Sequence, residues 1–350
     1  MRSIFAVVAL GFALIAPVHA QWLNVPKAGI PRMADGRPDL NAATPRAADG
    51  RPDLSGVWEP ANFSFLQNIF AETRPEDVPF QPWAAAAYDA RTVKDDPANR
   101  CLPPGLPRAL NNRLKTIQAP GVVTILYEAF TQYRQIFVDG RQLPIDPNPS
   151  WFGYSIGRWD GDDFIVETMG FNDKTWLDFF GHPHTDRMHL TERYRRRDFG
   201  HLDVQVTVDD PGAYTRPFSA SYPLVLTPDT DLLETICENA EQISQRLVGT
   251  DSPHPRPHHS VPVPPATLAR YAGTYELAPG RNVMVTAGDD RLTMQYPGNP
   301  NPLTMFAEAP DRFFFTSRDE FVEFQVGPDL SVTRLVISGE TNRAVLRRIP

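Results

Sequence analysis

Two cysteines, Cys101 and Cys237, are all that a chain of 350 residues offers. That excludes a zinc site built on cysteine thiolates and any disulfide-dense scaffold. Long apolar runs are equally scarce. Past residue 20 no stretch approaches the ~20 apolar residues of a spanning helix, so no membrane span is expected. Positive charge is in deficit, with 34 Lys and Arg against 42 Asp and Glu. The densest basic run, Arg193-Tyr194-Arg195-Arg196-Arg197, stops at Asp198. It reads as a solvated strand end, and nucleic acid is not an expected partner.

What is present begins with MRSIFAVVALGFALIAPVHA, residues 1–20: one cation, Arg2, then an apolar run closing on Val18-His19-Ala20. This pattern predicts a Sec signal peptide cleaved near Ala20/Gln21 and a periplasmic or secreted protein. Without Arg2 the balance is 33 basic to 42 acidic residues. In an oxidising compartment Cys101 and Cys237 most simply form one disulfide, two unpaired buried thiols being the other reading. Proline is abundant, 36 residues, about twice the usual ~5%. That favours a mainly β chain with many turns, and its length favours more than one domain.

Residues 31–40, PRMADGRPDL, recur fourteen positions later as PRAADGRPDL. The repeat is too short for a repeat domain and reads as a duplication within an extended N-terminal arm, 21–54. A short Ala-rich helix is expected within 79–93. From 122 to 208, six strand-length segments are separated by Gly, Asp, Asn and Pro clusters, with hairpin turns at Asp160-Gly161 and Phe199-Gly200. In the last of them Leu202, Val204, Val206 and Val208 alternate with polar residues, as in a half-buried strand. These segments define a barrel domain, 55–250. SPHPRPHHSVPVPP, 252–265, makes 251–265 a linker, and alternating strands resume in 266–350. The linker's His254, His258 and His259 have no carboxylate or thiol beside them, so no metal is expected there.

LARYAGTY (268–275) and RFFFTSRDEFVEFQVGPDLSVTRLVI resemble the small β-barrel appended to penicillin-binding-protein-like and β-lactamase-related hydrolases. The resemblance implies an accessory domain with a role in packing, homo-oligomerisation or shielding a site. It does not bring that family's chemistry, since no serine has lysine three positions on, as S-x-x-K requires. GRPDLSGVW, YRQIFVDGRQLP, GYSIGRWDGDDFIVETMGFN, TWLDFFGHPHT and LTERYRRRDFGHLDVQVTVDDP, across 55–245, resemble a family of exported bacterial proteins that supplies no catalytic assignment. The succession of strands looks lipocalin-like, by analogy.

Gly153-Tyr154-Ser155-Ile156-Gly157 spells the G-x-S-x-G of a nucleophile elbow. An elbow needs a strand before it and a helix after it. Here prolines precede and a hairpin follows, so a serine hydrolase acting through Ser155 is the weakest reading. The spacing of His182, His184 and His189 suits metal ligation, but Pro183 stiffens the pair in a loop, and neither metal nor cofactor is expected. Glu192 shares a strand face with Met188, Leu190 and Tyr194; Glu167 shares one with Ile165, Met169 and Phe171. A carboxylate on the core side is costly unless paired, for example with Arg134, or set in a cavity.

The expectation is therefore a lipocalin-like antiparallel β-barrel plus a small C-terminal β-barrel, the larger one enclosing a cavity for a small-molecule substrate. The leading function is acid/base catalysis (lyase, isomerase or hydrolase) on a partly apolar or aromatic metabolite. Glu167, Glu192, His184 and His189 would transfer protons, and Tyr133, Arg134, Tyr154, Trp159, Trp176 and Asp178 would hold the ligand. The alternative is a non-catalytic ligand-binding or scaffold protein.

Overall fold

The computed structural model describes residues 25–62, 64–236, 258–299, 301–339 and 342–349. The chain folds as two closed β-barrels, of nine and eight strands. The expected signal segment, Cys237 and most of the linker lie outside the described residues. No helix among the described residues is long and apolar enough to cross a membrane.

The first barrel runs β1 (Gly56–Pro60), β2 (Leu114–Ala119), β3 (Val122–Tyr127), β4 (Gln132–Phe137), β5 (Tyr154–Asp160), β6 (Asp163–Met169), β7 (His189–Arg196), β8 (His201–Asp209) and β9 (Phe218–Leu226). It closes because β1 pairs with both β2 and β9. Neighbours are antiparallel at every seam but one: β4 and β5 run parallel, Ile136 opposite Ser155 and Phe137 opposite Ile156. The expected antiparallel barrel thus carries one parallel seam, for a topological reason. An odd number of strands cannot alternate direction all the way round a closed barrel.

Alternation decides what lies inside. In β8, Leu202, Val204, Val206 and Val208 are buried and the residues between them are not. Trp58, Tyr127, Phe164, Val166, Val206 and Tyr222 meet in one hydrophobic cluster. Side chains fill the interior, as expected for about eight strands, and no open lumen joins Glu167 to Glu192. Two glycines show how tight the filling is. A Cβ on Gly157 would overlap the Phe164 ring, and one on Gly153, at φ +64°, would stand 2.7 Å from the Met169 carbonyl.

Both barrel ends are covered. At the end carrying the β5–β6, β7–β8 and β9 termini lies residues 25–55, which are folded loops and not the extended arm anticipated. Each copy of the duplicated motif makes the same small loop. Met33 N donates to Arg37 O and Asp39 N to Pro31 O; Ala47 N donates to Arg51 O and Asp53 N to Pro45 O. Arg32 then reaches Asp229 with two hydrogen bonds of 3.1 and 2.8 Å, and Arg46 reaches Asp162 with two of 2.8 and 2.9 Å. Between them, Gly200 N donates to Leu40 O and Phe199 N to Ala42 O, tying the arm to the β7–β8 turn.

The opposite end is covered by residues 61–113, with α1 (Ser64–Gln67) and α2 (Pro82–Ala90), and by the β6–β7 loop, 170–188. Against this end sits the second barrel, introduced by α3 (Pro265–Tyr271). Its eight antiparallel strands run from β10 (Gly273–Ala278) to β17 (Arg343–Ile349), and those two pair to close it. Tyr275, Met305, Phe313 and Phe324 fill its core. Thr316 Oγ1 donates to Ala71 O, Asn68 Nδ2 to Thr316 O at 2.8 Å and Asn301 Nδ2 to Ala61 O at 3.0 Å, joining the barrels.

Candidate functional site

The sequence-derived candidates separate into four places. Glu192 is fully buried, and Arg134 grips it from β4 with Nη1 at 3.1 Å and Nη2 at 2.5 Å. The Tyr194 hydroxyl donates to the same carboxylate at 2.8 Å. Arg134 also donates through Nε to Ser155 Oγ, 2.9 Å, and through Nη2 to Thr168 Oγ1, 2.6 Å. Burial alone would lower the Arg134 pKa, but the Glu192 charge and hydrogen bond together with the neighbouring Tyr127 and Tyr194 hydroxyls outweigh it, and the net shift is upward. Burial likewise pushes the Tyr127 hydroxyl up to about 12. Glu192 is thus fully engaged by Arg134 and Tyr194 inside the barrel and meets no substrate, while the buried Tyr127 hydroxyl beside them has no hydrogen-bond partner among the described residues. Ser155 is held by Arg134 and Thr168, neither of them a base, and a strand follows it where an elbow needs a helix.

Glu167 requires a correction. In β6 Asp163 is buried and, beyond it, Phe164, Val166 and Thr168 alternate inward, so Glu167 lies on the outer face with Ile165 and Met169, opposite Thr191. Its nearest cation is Arg158 at 3.9 Å. In β3, Thr124 and Leu126 are likewise on the outer face. His184 is buried: the Thr175 hydroxyl donates to its Nε2 at 2.6 Å, and its Nδ1–H donates to Thr185 O at 3.2 Å. Burial lowers its pKa, so it is a neutral, fully engaged imidazole. His189 opens β7 opposite Asp209. The four expected proton-transfer residues therefore do not share a site. Among the described residues no group of three or more His, Cys, Asp or Glu is placed to hold a metal.

Of the expected ligand contacts, Tyr133, Arg134 and Tyr154 do come together. They line a surface groove of about 640 Å³ along the parallel β4–β5 seam, with Trp151 and Phe152. Tyr133 is 65% exposed and Tyr154 39%. Trp159 packs on Phe164 instead, and buried Trp176 lies under the guanidinium groups of Arg91 and Arg108.

Asp178 leads elsewhere. It is fully buried in the β6–β7 loop, and five donors converge on its two oxygens. The backbone N–H groups of Phe180, Gly181 and His182 and that of Ile69 supply four, at 2.6–3.2 Å; His182 Nδ1 is the fifth at 2.6 Å. A carboxylate surrounded by donors acts as acceptor throughout, so Nδ1–H donates to it and Nε2 is the nitrogen left to meet a ligand. No hydrogen bond from the described residues occupies Nε2. The ring is clamped by Tyr88, stacked at 4.4 Å, and Phe80, stacked at 5.5 Å, with Phe70 tilted at 5.0 Å.

His182 lines a cavity of about 270 Å³ where the barrels meet. Tyr88, Phe70, Phe80 and Phe180 come from the first barrel's cap; His258, His259 and Phe314 come from the second barrel's side. Phe314 belongs to the strand Arg312–Phe315 and stacks on His258 at 4.7 Å. Burial raises the Tyr88 hydroxyl pKa, with help from Asp178, and lowers that of His258. The arrangement offers an imidazole oriented by a carboxylate and a protonated phenol beside it, within aromatic walls. Of these residues only Asp178 stood among the expected ligand contacts, although His182 lay in the cluster considered for metal. Its signal was the four-residue spacing from Asp178 across Gly181; Tyr88 and His258 carried none, being brought in by the fold.

Comparison with known proteins adds the following. No curated protein matches the chain. The octameric penicillin-binding protein homologue from Pyrococcus abyssi aligns at 12% identity and a TM-score of 0.18, over 57% of this chain. The alignment spans 39% of that protein's own length, and so weak a likeness bears on neither fold nor activity. Residues 257–346 match the family model described as a domain of unknown function, DUF3471. Similarity to a family is thus located in the C-terminal barrel, the region whose motifs resemble the small barrel appended to β-lactamase-related hydrolases.

Proposed function

We propose that the cavity between the barrels binds a small, partly apolar molecule and that His182 exchanges a proton with it. The observation that carries this reading is the Asp178–His182 contact of 2.6 Å, with Nε2 unbonded on a ring that lines the cavity. Asp178 accepts from Nδ1–H and so fixes the orientation of the imidazole, and its charge would stabilise the imidazolium formed when a bound hydroxyl or C–H acid gives up its proton. At about 270 Å³ the cavity is just below the ~300–1,000 Å³ usual for small-molecule sites, which restricts the ligand to one or two rings. Lyase or isomerase chemistry needs only such a proton exchange. Hydrolysis would use His182 to activate water.

The test compares wild type with His182→Gln, which keeps ring-sized volume and removes the base. Both are incubated with a metabolite extract, and bound and converted compounds are read by mass spectrometry. Conversion by wild type, with binding retained but conversion lost in the variant, supports the reading. Equal conversion by both proteins removes His182 from the chemistry.

A second reading, ligand binding without catalysis, draws on the β4–β5 groove, which exposed Tyr133 and Tyr154 both line. A co-purifying ligand lost on Tyr133→Ala/Tyr154→Ala and kept on Tyr88→Ala would favour it. We also propose export of the chain, a Cys101–Cys237 disulfide and homo-oligomerisation through the C-terminal barrel. Non-reducing peptide mapping and sedimentation of the full chain test the last two.

A further inference from the structure

We infer that the junction cavity selects single-ring aromatic ligands bearing a cationic or uncharged polar substituent and rejects the corresponding carboxylates. This rests on the reading of the cavity as a ligand site. The walls are rings: Phe70, Phe80, Tyr88 and Phe314 present aromatic surface to whatever enters. Among the described residues neither Lys nor Arg lines the cavity, whereas Glu76 and Asp89 do, both on exposed parts of the lining. Glu76 is fixed as an anion. Burial would raise its pKa, but Ser260 donates to it through both Oγ and backbone N–H, and the net shift is downward. Behind the aromatic wall Asp178 contributes a further negative group, buried beside His182. The histidine packed deepest on the second barrel's side, His258, is held toward its neutral form by burial.

The charged side chains of the described lining therefore have one sign, with Arg74 outside it acting on Glu76. An ammonium group near the mouth meets two carboxylates and the faces of the rings, both of which attract cations. A carboxylate at the same place meets repulsion with no guanidinium or ammonium among the described lining residues to pair with, and loses hydration without compensation. For two otherwise equal ligands the difference amounts to about 10-fold in affinity, because the rim carboxylates are exposed to solvent.

Tyramine, 4-hydroxyphenylacetate and 4-methylphenol share one ring and differ in charge. Isothermal titration of the full chain with each, at a pH of about 8 where an ordinary imidazole is neutral, reads the selection directly. The expected result is measurable binding of tyramine and 4-methylphenol, tyramine about 10-fold tighter than 4-hydroxyphenylacetate, and a ratio that collapses toward unity in Glu76→Gln. If 4-hydroxyphenylacetate binds as tightly as tyramine, charge selection is wrong while the cavity remains a site. If none of the three binds, or if binding survives Tyr88→Ala undiminished, the cavity reading falls and the inference with it.

Discussion

Arg134 and Glu192 face each other inside the first barrel with side chains 2% and 0% exposed. A pair so placed is expensive to break and cheap to replace, because removing one partner strands a buried charge on the other. Arg134→Met should therefore destabilise the protein by about 3–5 kcal/mol, whereas adding Glu192→Leu should recover most of that loss. Urea denaturation of both variants checks it, and a double variant no better than the single one would show that Ser155 and Thr168 depend on the guanidinium. His184 sets a pH dependence. Its folded pKa lies below the ordinary ~6.5, so the unfolded chain takes up the proton first as pH falls. Stability should be level above about pH 6.5 and decline below it, by at most ~1.4 kcal/mol per pH unit for this group. Denaturation midpoints between about pH 5 and 8 give the slope, and His184→Asn should flatten it. His258 acts in the same direction.

At the scale of the strand, the alternation that placed Glu192 correctly misplaced Glu167. In β7 only one face is apolar, so the inner row Leu190, Glu192, Tyr194 is unambiguous. In β6 both faces are apolar: Phe164 and Val166 point in, Ile165 and Met169 out, and periodicity alone cannot say which is the core. The hairpins at Asp160-Gly161 and Phe199-Gly200 were legible because turn chemistry is local. The site was hardly legible at all. Asp178 and His182 lie in a loop, where no period exists, and their partners Tyr88 and Phe80 are about a hundred positions away in the chain. Strand geometry also sets a testable tolerance. Gly157 faces the interior where Phe164 leaves no room, so Gly157→Ala should cost about 1–3 kcal/mol by thermal or chemical denaturation. Gly121, in a turn with open space around it, should lose less despite its φ of +80°.

For the whole molecule, closure is the organising fact. The filled barrel leaves no lumen, so ligand-accessible space is displaced to its ends and seams, and the end that meets the second barrel holds the Asp178–His182 pair. The other end is held by the two loops of the N-terminal arm, whose Arg32 and Arg46 side chains are 28% and 49% exposed. Exposed pairs contribute ~0–1 kcal/mol each, so Arg32→Ala/Arg46→Ala should barely move the melting transition. Limited proteolysis should nonetheless cut the arm ahead of Leu54 markedly faster than in wild type. A large drop in global stability would instead make the arm part of the cooperative core.

The arm has a further property that belongs to its length. Arg32 and Arg46 are fourteen positions apart, the period of the duplication, and their partners Asp229 and Asp162 stand at the end of β9 and in the β5–β6 turn. The period thus works as a ruler laid along the rim, with the Leu40 and Ala42 carbonyls marking the β7–β8 turn halfway. Inserting or deleting anything other than a whole period would put one arginine out of step with its carboxylate. In this segment the count of residues is fixed more tightly than their identity.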